Sequence, residues 1–363
     1  EKKEPSYFFK MSQFTEWVKK LYADHPEFII PEFRTHELIG SFLKDSLEDL
    51  SVSRTSLDWG IPVLSDPKHK VYVWIDALIN YLSALGYLTN DDKLFQKYWN
   101  NKDAEIVHLM SKEITRFHCI YWPIMLKCLN LRQPNRILSH GWIVTKEGKM
   151  SKSIGNVVDP FEYIKEFGSD ALRYYLMKEI SVDQDSVFAR DLFIECYNAD
   201  LANTYGNLVS RYIGMVQKYT NGTIQKNKTP LNKISEKLLN KTIETIKSVA
   251  DCVNNLRIAN LISNILELAK LANKYVEDSK PWVLTKDNKK DEVNNFLYCL
   301  GNAVRAISVL LQPILTKGTQ EMITQLKLNK SQTDYDHLTD FELLNNHVVG
   351  ASTPIYARIV EKK

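Results

Sequence analysis

The pattern of hydrophobic and polar residues changes near residue 190. Before that point, an uninterrupted run of β-branched and aromatic residues predicts a strand at Val71–Ile75, and further strands are predicted at Glu105–Met110 and Ile137–His140. Stretches with helical spacing separate these runs. Strand–helix–strand–helix–strand is the order typical of a parallel sheet, so we expect an α/β fold in this part of the chain.

The two helices between these strands can be bounded by their end signals. The first is expected to run from Asp76 to about Gly86, a glycine that suits a helix C-terminus. The second is expected to start after Ser111, a suitable N-cap, and to reach about Asn130 with a kink near Pro123.

After residue 190 only helical spacing is found. Apolar residues three and four positions apart predict long helices over residues 191–219, 231–255, 257–277 and 290–315. This pattern is typical of a helix bundle. The segment Ser352–Val360 is predicted to be an extended tail.

Composition narrows the class of protein without naming a function. The chain has 13 glycines and 12 prolines in 363 residues. Glycine and proline together make up a smaller share of it than the roughly 12% found in an average protein, which disfavours all-β and low-complexity folds. The net charge of +3 neither demands nor excludes a nucleic-acid partner. Five scattered cysteines without Cys-x-x-Cys spacing indicate a reducing compartment and no structural metal. No apolar run approaches the ~18 residues of a membrane span.

One short segment has the chemistry of a phosphate-binding loop. In Lys149-Met150-Ser151-Lys152-Ser153 two lysines flank small hydroxyl residues, with Gly148 before and Gly155 after them. Ammonium groups neutralise polyphosphate charge and hydroxyls donate to phosphate oxygens, which suits the charge that grows on a leaving pyrophosphate. The segment follows a predicted parallel strand, where open α/β sheets bind their ligands. Taken only as a pair of lysines, it would be an ordinary basic surface turn.

This segment and its surroundings resemble a known family. Lys-Met-Ser-Lys-Ser is similar to the signature loop of class I aminoacyl-tRNA synthetases, and the neighbouring blocks narrow the resemblance to methionyl-tRNA synthetases. The resemblance covers essentially the whole chain. The blocks that carry it are Ser51–Thr55, Trp59–Pro62, Val71–Ala77, His118–Pro123, His140–Trp142 and Gly155–Pro160.

The resemblance implies an organisation in four segments. Residues 1–50 would be the remainder of a connective insertion, and residues 51–190 the second half of a Rossmann-like, parallel-sheet catalytic domain that carries the 149–153 loop. Residues 191–325 would be an all-α, anticodon-binding helix bundle, and residues 326–363 a C-terminal tail that packs back. The expected fold class is therefore α/β, the C-terminal half of a Rossmann-like domain, followed by a helix bundle.

Aromatic residues on one predicted helix and at an earlier predicted strand–helix joint are candidates for a substrate pocket. Ile114, His118 and Trp122 fall on one helix face at i, i+4 and i+8, and aromatic rings suit the flexible, polarisable thioether of a methionine side chain. From the pattern alone, ordinary core packing is the better explanation. The resemblance favours the pocket, with one histidine and one tyrosine hydroxyl orienting the sulfur. It implies methionine-binding roles for Trp74, Ala77, Leu78, Tyr81, Ile114, Phe117, His118 and Trp122.

The resemblance also implies ATP as the second substrate, with Mg²⁺ bridging its phosphates. Lys152 and then Lys149 would be the catalytic groups at the phosphates. Glu113 matches a position that contacts the ATP ribose, although Ser111 stands where the family usually has glycine. The ATP-binding roles implied in this way fall on Glu113, His140, Gly141, Lys149, Met150, Ser151, Lys152 and Ser153.

Three residues of the predicted bundle are candidates for reading RNA. Asn207 and Arg211 lie at i and i+4 on one helix face, and Trp282 follows a proline at a joint between helices. Amide and guanidinium groups suit unstacked base edges, and an indole can stack on a base. By pattern alone these would be a polar helix face and an aromatic cap. The resemblance implies that all three read the CAU anticodon of tRNA(Met).

A second signature of the family, His-x-Gly-His, is absent from the sequence. We therefore expect the chain to be the C-terminal half to two-thirds of a methionyl-tRNA synthetase that lacks its N-terminal part and is inactive alone. Two alternatives stay open: a non-catalytic, tRNA-binding synthetase fragment, and a class I ligase for another amino acid such as leucine or cysteine. We expect a cytoplasmic monomer that does not associate with membranes.

Overall fold

The structure is a computed structural model, and it describes residues 4–360. The chain divides into two units. The first comprises the residues up to Trp142 together with Val182–Asp185, and the second comprises Ile143–Ser181 and the residues from Ser186 onward. Within the described range, no helix has both the length and the apolar character that crossing a membrane requires.

The first unit combines short strands with short helices. Its strands are β1 (Phe8–Phe9), β2 (Ile29–Ile30), β3 (Leu50–Ser51), β4 (Ser53–Arg54), β5 (Pro62–Val63), β6 (Asp66–Val71), β7 (Val107–Ser111) and β8 (Arg136–His140). Its α-helices are α1 (Thr15–Asp24), α2 (Phe33–Leu38), α3 (Val73–Ser83) and α4 (Trp122–Cys128). Shorter 3-10 and π-helical turns are Met11–Phe14, Pro26–Phe28, Ile39–Leu43, Phe95–Trp99, Lys112–Ile114 and Phe117–Tyr121.

A parallel sheet with the strand order β2-β8-β7 lies in this unit. Ile29 pairs with Ile137 on one side of β8, and Ser111 pairs with His140 on the other. The predicted parallel strands near 105–110 and 137–140 are confirmed. The third strand, β2, comes from the first 50 residues, and an antiparallel sheet of order β4-β6-β5 lies apart from it.

The predicted strand at Val71–Ile75 is wrong. β6 ends there, and Tyr72, with φ −63° and ψ 133°, is the N-cap of α3. An uninterrupted apolar run cannot distinguish a buried strand from a helix. The helix forms because Leu78 and Leu82, four residues apart, both fill the core at its inner face, where they are at most 1% exposed.

The predicted helix from Ser111 to about Asn130 is interrupted. A 3-10 turn comes first, a π-helical turn follows over Phe117–Tyr121, and α4 ends at Cys128. Pro123 lies in the first turn of α4, where a missing N–H is tolerated. The irregularity therefore precedes the proline instead of being caused by it, and π-turns of this kind are frequent at functional sites.

The second unit is mainly helical. Its strands are β9 (Ile143–Thr145), β10 (Gly148–Lys149), β11 (Ser186–Val187), β12 (Thr223–Ile224) and β13 (His347–Val348). Its α-helices are α5 (Pro160–Phe167), α6 (Ser169–Glu179), α7 (Arg190–Cys196), α8 (Asn207–Thr220), α9 (Lys233–Asn254), α10 (Ile258–Ser279), α11 (Pro281–Lys286), α12 (Lys290–Leu311), α13 (Thr316–Gln325) and α14 (Lys330–Thr333). A π-helical segment, Tyr197–Gly206, joins α7 to α8, and 3-10 turns cover Tyr335–His337 and Phe341–Leu344.

The bundle of this unit is built around α12. Every residue of α12 from Asn295 to its end is buried, which is typical of a helix surrounded by others. α8, α9 and α10 pack against it. The helices predicted over residues 231–255, 257–277 and 290–315 are confirmed within a few residues at each end, whereas the one predicted over 191–219 is divided into α7, the π-helical segment and α8. A single core runs through these helices.

A buried carboxylate ties three distant segments of this unit together. Asp170 of α6 is 4% exposed and accepts hydrogen bonds from the backbone N–H groups of Lys317 (3.1 Å) and Gly318 (2.7 Å) in the first turn of α13. The hydroxyl of Tyr356 donates to the same carboxylate at 3.1 Å. A carboxylate is favourable at this end of a helix, where unpaired N–H groups carry positive charge.

Candidate functional site

Aromatic side chains of α3 and of the segment after β7 meet in the first unit. The rings of Trp74 and Phe117 are stacked, with centroids 3.7 Å apart and planes 9° from parallel. His118 lies edge-on to Trp74 at 6.2 Å and to Tyr81 at 5.6 Å. Residues predicted at a strand–helix joint and on a later helix are thus brought together. We call this group the aromatic cluster, and its members are Trp74, Tyr81, His108, Phe117, His118 and Trp122.

Hydrogen bonds fix the orientation and the proton of His118. Its Nδ1 lies 3.1 Å from the carbonyl oxygen of Ile114, which can only accept, so Nδ1 carries the proton. Its Nε2 is then the acceptor for the hydroxyl of Tyr81 at 2.8 Å. Burial lowers the pKa of His118, which favours the neutral imidazole. In this structure the hydroxyl proton of Tyr81 is therefore directed at His118.

Sequence reasoning missed one member of the cluster, His108. It lies on β7, is 6% exposed, and its ring centroid is 4.3 Å from that of Tyr81. The indole Nε1 of Trp122 donates to its Nε2 at 3.1 Å. Burial and the neighbouring His118 lower the pKa of His108 to about 4. The available signal was a polar residue that shares the buried face of a predicted strand with Met110, two positions on.

The other predicted pocket residues differ in exposure. Leu78 is 1% exposed and Trp122 is fully buried, and both belong to the core that supports the aromatic cluster. Ile114 is half-buried, whereas Ala77 faces the surface of the unit. A ligand among these rings would therefore meet a rigid apolar base formed by the two buried residues.

The candidate nucleotide-binding residues of this unit lie at one edge of the parallel sheet. β7 ends at Ser111 and β8 at His140, which are paired, so Glu113 and Gly141 both follow carboxyl ends of parallel strands. Such edges are where open α/β sheets bind ligands. Ser111 has φ −77°, a conformation open to any residue, so the serine causes no backbone strain there. Glu113 is exposed at this edge.

The turn after β8 is held by a segment far away in the sequence. A Cβ at Gly141 would overlap the backbone of Gln184, so only glycine fits. Lys112 pairs with Asp185 at 2.8 Å and lies over the Trp142 ring at 4.3 Å. Asp185 also accepts from the backbone N–H of Trp142 at 2.8 Å, and these partners lower the pKa of Asp185. Lys112 and Asp185 are 73 residues apart, so no local sequence pattern predicts their ion pair.

The predicted phosphate loop lies in the second unit, where it leaves a β-hairpin. β9 and β10 pair antiparallel, and Gly148 takes φ +104°, which favours glycine. Asn156 closes the loop. Its Oδ1 accepts from the Ser151 backbone N–H at 2.8 Å, and its Nδ2 donates to Thr145 Oγ1 at 3.0 Å.

The side chains of this loop face two ways. Lys149 and Lys152 are exposed, whereas Met150 packs against the core of the unit. The hydroxyls of Ser151 and Ser153 are 2.8 Å apart. The methionine thus anchors the loop, and the ammonium groups are presented to solvent.

The RNA-reading candidates occupy two helices of the bundle. Asn207 and Arg211 stand one turn apart at the start of α8; Asn207 is exposed, and Arg211 pairs with Glu277 of α10 at 2.6 Å. Trp282 is 41% exposed in α11. Lys280, with φ +46°, ends α10 and turns the chain into α11. The predicted joint before Trp282 is therefore present.

Within residues 4–360, no cluster of three or more His, Cys, Asp or Glu side chains is placed to hold a metal ion. The five cysteines are all free thiols, and burial raises the pKa of Cys119, Cys196 and Cys299. Their thiol form is thereby favoured.

Comparison with known proteins identifies the family of this chain. A model described as "tRNA synthetases class I (M)" matches residues 1–213, and one described as "Anticodon-binding domain of tRNA ligase" matches residues 235–349. A protein of Ureaplasma parvum named methionine–tRNA ligase is 49% identical over 362 residues, which cover 100% of this chain and 69% of that protein. The chain belongs to the methionyl-tRNA synthetase family. The resemblance in the sequence is thereby confirmed.

Further relatives support the family assignment. A methionine–tRNA ligase of Bacillus subtilis is 45% identical over 359 residues, covering 98% of this chain and 54% of that protein. The crystal structure of Mycobacterium tuberculosis methionyl-tRNA synthetase bound by methionyl-adenylate is similar with a TM-score of 0.90 at 33% identity. It matches over 98% of this chain and 69% of that one. The chain thus spans between about half and two-thirds of the length of these methionyl-tRNA synthetases.

The predicted fold class is confirmed as well. Methionyl-tRNA synthetases are the structural neighbours, and the chain has a Rossmann-like catalytic domain with a parallel sheet followed by a helical anticodon-binding domain. The segment boundaries at residues 50, 190 and 325 and the roles of single site residues stay predictions.

Proposed function

We propose that the protein is a methionine–tRNA ligase. In the first step the carboxylate oxygen of methionine attacks the α-phosphorus of ATP, the bond to the β-phosphate oxygen breaks, and methionyl-adenylate and pyrophosphate form. In the second step the adenylate transfers its methionyl group to tRNA(Met). The aromatic cluster carries the proposal, because it is a fixed set of rings in a chain of the methionyl-tRNA synthetase family.

The chemistry of the aromatic cluster suits a methionine side chain. Burial lowers the pKa of both His108 and His118, so the cluster holds no charge at neutral pH. Uncharged rings pack favourably on a thioether and leave lysine or glutamate side chains without a counter-charge. Trp74, Tyr81 and Phe117 would surround the thioether, with the remaining pocket residues, Ala77, Leu78, Ile114, His118 and Trp122, as further contacts.

ATP would be bound by two sets of residues. Glu113, His140 and Gly141 follow the carboxyl ends of the parallel strands and would hold the nucleoside part. In the loop, Lys152 and Lys149 would stabilise the charge that develops on the leaving pyrophosphate, with Met150, Ser151 and Ser153 beside them. Mg²⁺ would neutralise the phosphates, and it would be held mainly by phosphate oxygens because the described residues supply no metal-ligand cluster.

The helix bundle would bind the anticodon of tRNA(Met). Asn207 and Arg211 offer hydrogen-bond donors to base edges, and the exposed indole of Trp282 offers a stacking surface. The expected anticodon is CAU. The unpaired cysteines suit the cytoplasm, where thiols stay reduced, and we propose a monomer.

The decisive test is the exchange of labelled pyrophosphate into ATP, measured on the protein as its own cell makes it. We expect exchange with methionine and not with leucine or cysteine. Exchange with another amino acid would assign a different class I ligase. Binding of tRNA(Met) without any exchange would favour the non-catalytic, tRNA-binding alternative.

A second test addresses the bundle alone. Arg211→Ala removes charged hydrogen bonds to RNA, each worth about 1.5–3 kcal/mol, so kcat/KM for charging of tRNA(Met) should fall roughly 10- to 100-fold. Pyrophosphate exchange should be unchanged. The matched control is Arg257→Ala, which removes another arginine that forms an ion pair with a carboxylate of the same unit. Equal losses in charging and exchange would instead indicate a folding defect.

A further inference from the structure

His108 lies within the aromatic cluster, but it is not among the residues that were predicted to bind methionine. Its ring centroid is 4.3 Å from that of Tyr81, 6.0 Å from that of His118 and 6.5 Å from that of Trp122. Trp99, another residue of the core, lies 6.1 Å away. Tyr81 belongs to α3 and Trp122 to α4, so His108 on β7 contacts both helices.

The hydrogen bond to Trp122 determines which nitrogen of His108 carries the proton. An indole N–H can only donate, so Nε2 of His108 must accept and the neutral imidazole has its proton on Nδ1. Protonation of the ring would remove the acceptor of this hydrogen bond. Burial and the adjacent His118 oppose that protonation by lowering the pKa of His108.

The environment of Trp122 makes this bond specific. The indole is fully buried, and a buried N–H without an acceptor is costly. An aliphatic residue at position 108 would fill the space equally well but leave the indole N–H unpaired. Plain core packing therefore explains the burial of His108 but not its hydrogen bond.

We propose that His108 is a positioning residue of the methionine pocket, which orients Trp122 through the Nε1–H to Nε2 hydrogen bond and holds the ring of Tyr81 at its face. This inference rests on the proposed function. It predicts that His108 governs the KM for methionine and leaves the chemical step and ATP binding unaffected, because its hydrogen bond and its closest ring contact are with two predicted pocket residues, Trp122 and Tyr81.

Two substitutions at this position separate hydrogen bonding from packing. His108→Gln places an amide oxygen near the former Nε2 position and keeps an acceptor for Trp122, whereas His108→Leu keeps the volume and removes the acceptor. We expect His108→Leu to raise the KM for methionine about tenfold and His108→Gln less than about threefold. The kcat of pyrophosphate exchange and the KM for ATP should stay within about twofold in both.

A double-mutant cycle tests the bond directly. In a Trp122→Phe background the donor is gone, so adding His108→Leu should change the KM for methionine by less than about twofold. His347→Leu serves as control, because this histidine is also hydrogen-bonded through its ring but lies in the second unit. It should leave the KM for methionine unchanged.

The outcomes are distinguishable. Absence of methionine-dependent exchange in the unmodified protein would overturn the proposed function itself. Normal exchange with an unchanged KM in His108→Leu, or equal effects of the leucine and glutamine variants, would overturn the positioning role. Should His108→Leu not fold, as judged by its thermal unfolding, His108→Met takes its place, because a thioether is only a weak acceptor. A KM for methionine at least threefold above that of His108→Gln supports the role, and a smaller difference contradicts it.

Discussion

The aromatic cluster and the Lys149–Ser153 loop achieve recognition by opposite physical means. In the cluster, Tyr81, His108 and His118 are held by hydrogen bonds and ring packing, and burial keeps both imidazoles neutral. In the loop, Lys149 and Lys152 are exposed, and the hydrogen bonds that shape it join residues close in sequence.

This difference matches the ligands that the two regions would meet. A neutral thioether is distinguished by shape and by the absence of charge, which requires fixed, desolvated walls. A polyphosphate is bound by charge, which acts over longer distances and tolerates looser geometry. Substitutions in the cluster should therefore change which amino acid binds, and substitutions in the loop how fast the chemical step proceeds.

The largest expected effect separates these two roles. Lys152→Ala should lower the rate of methionyl-adenylate formation by about 10²- to 10³-fold, because one group that stabilises developing charge is removed. Methionine affinity should change less than about twofold. Single-turnover adenylate formation and equilibrium binding measure the two quantities. Lys146→Ala is the matched control, since Lys146 is also exposed and its partner is Asp191 of the same unit; comparable losses in rate and affinity would refute the separation.

The second expected effect uses the neutrality of the cluster. The pKa of His108 is about 4 in the folded protein, and an unfolded histidine has a pKa near 6.5. Between these values the unfolded state binds more protons, so folding stability is complete above pH 6.5 and falls as the pH drops towards 4. Between pH 7 and pH 4.5 the free energy of unfolding of the unmodified protein should therefore fall by about 2–3 kcal/mol more than that of His108→Gln. Urea unfolding of both proteins at both pH values measures this difference. An equal loss of unfolding free energy in the two proteins would contradict the prediction.

The smallest expected effect concerns a single hydroxyl. Tyr81→Phe removes the donor to His118 and leaves that ring nitrogen without its partner, which should raise the KM for methionine about five- to tenfold. The kcat of pyrophosphate exchange should hardly change. Tyr87→Phe is the control, because Tyr87 packs on Phe95 in the same unit outside the cluster. A fall in kcat without a change in KM would place Tyr81 in the chemical step instead.

Much of the fold was predictable because local patterns decide it. The helices of the bundle follow three- and four-residue spacing, and the strands at Val107–Ser111 and Arg136–His140 follow from short, largely apolar runs. The loop residues were recognisable because lysine, serine and glycine at short spacing form a local motif. The resemblance to one family supplied the candidate pocket.

Other features depend on contacts that no local pattern contains. α3 begins where a strand was expected, because Leu78 and Leu82 are buried by partners distant in sequence. His108 and Trp122 are fourteen residues apart on different elements, and Asp185 reaches Lys112 across 73 residues. Such pairs follow from the assembled sheet and helices, which sequence spacing alone does not determine.

The carboxylate of Asp170 has a consequence for how the chain is made. It accepts a hydrogen bond from Tyr356, 186 residues later, and from the first turn of α13, almost 150 residues later. A chain that emerges from the ribosome from its N-terminus folds as its segments become available. α6 must therefore wait, with this carboxylate unsatisfied, until nearly the entire described chain has been synthesised. The helical unit therefore cannot make these contacts until Tyr356 has left the ribosome.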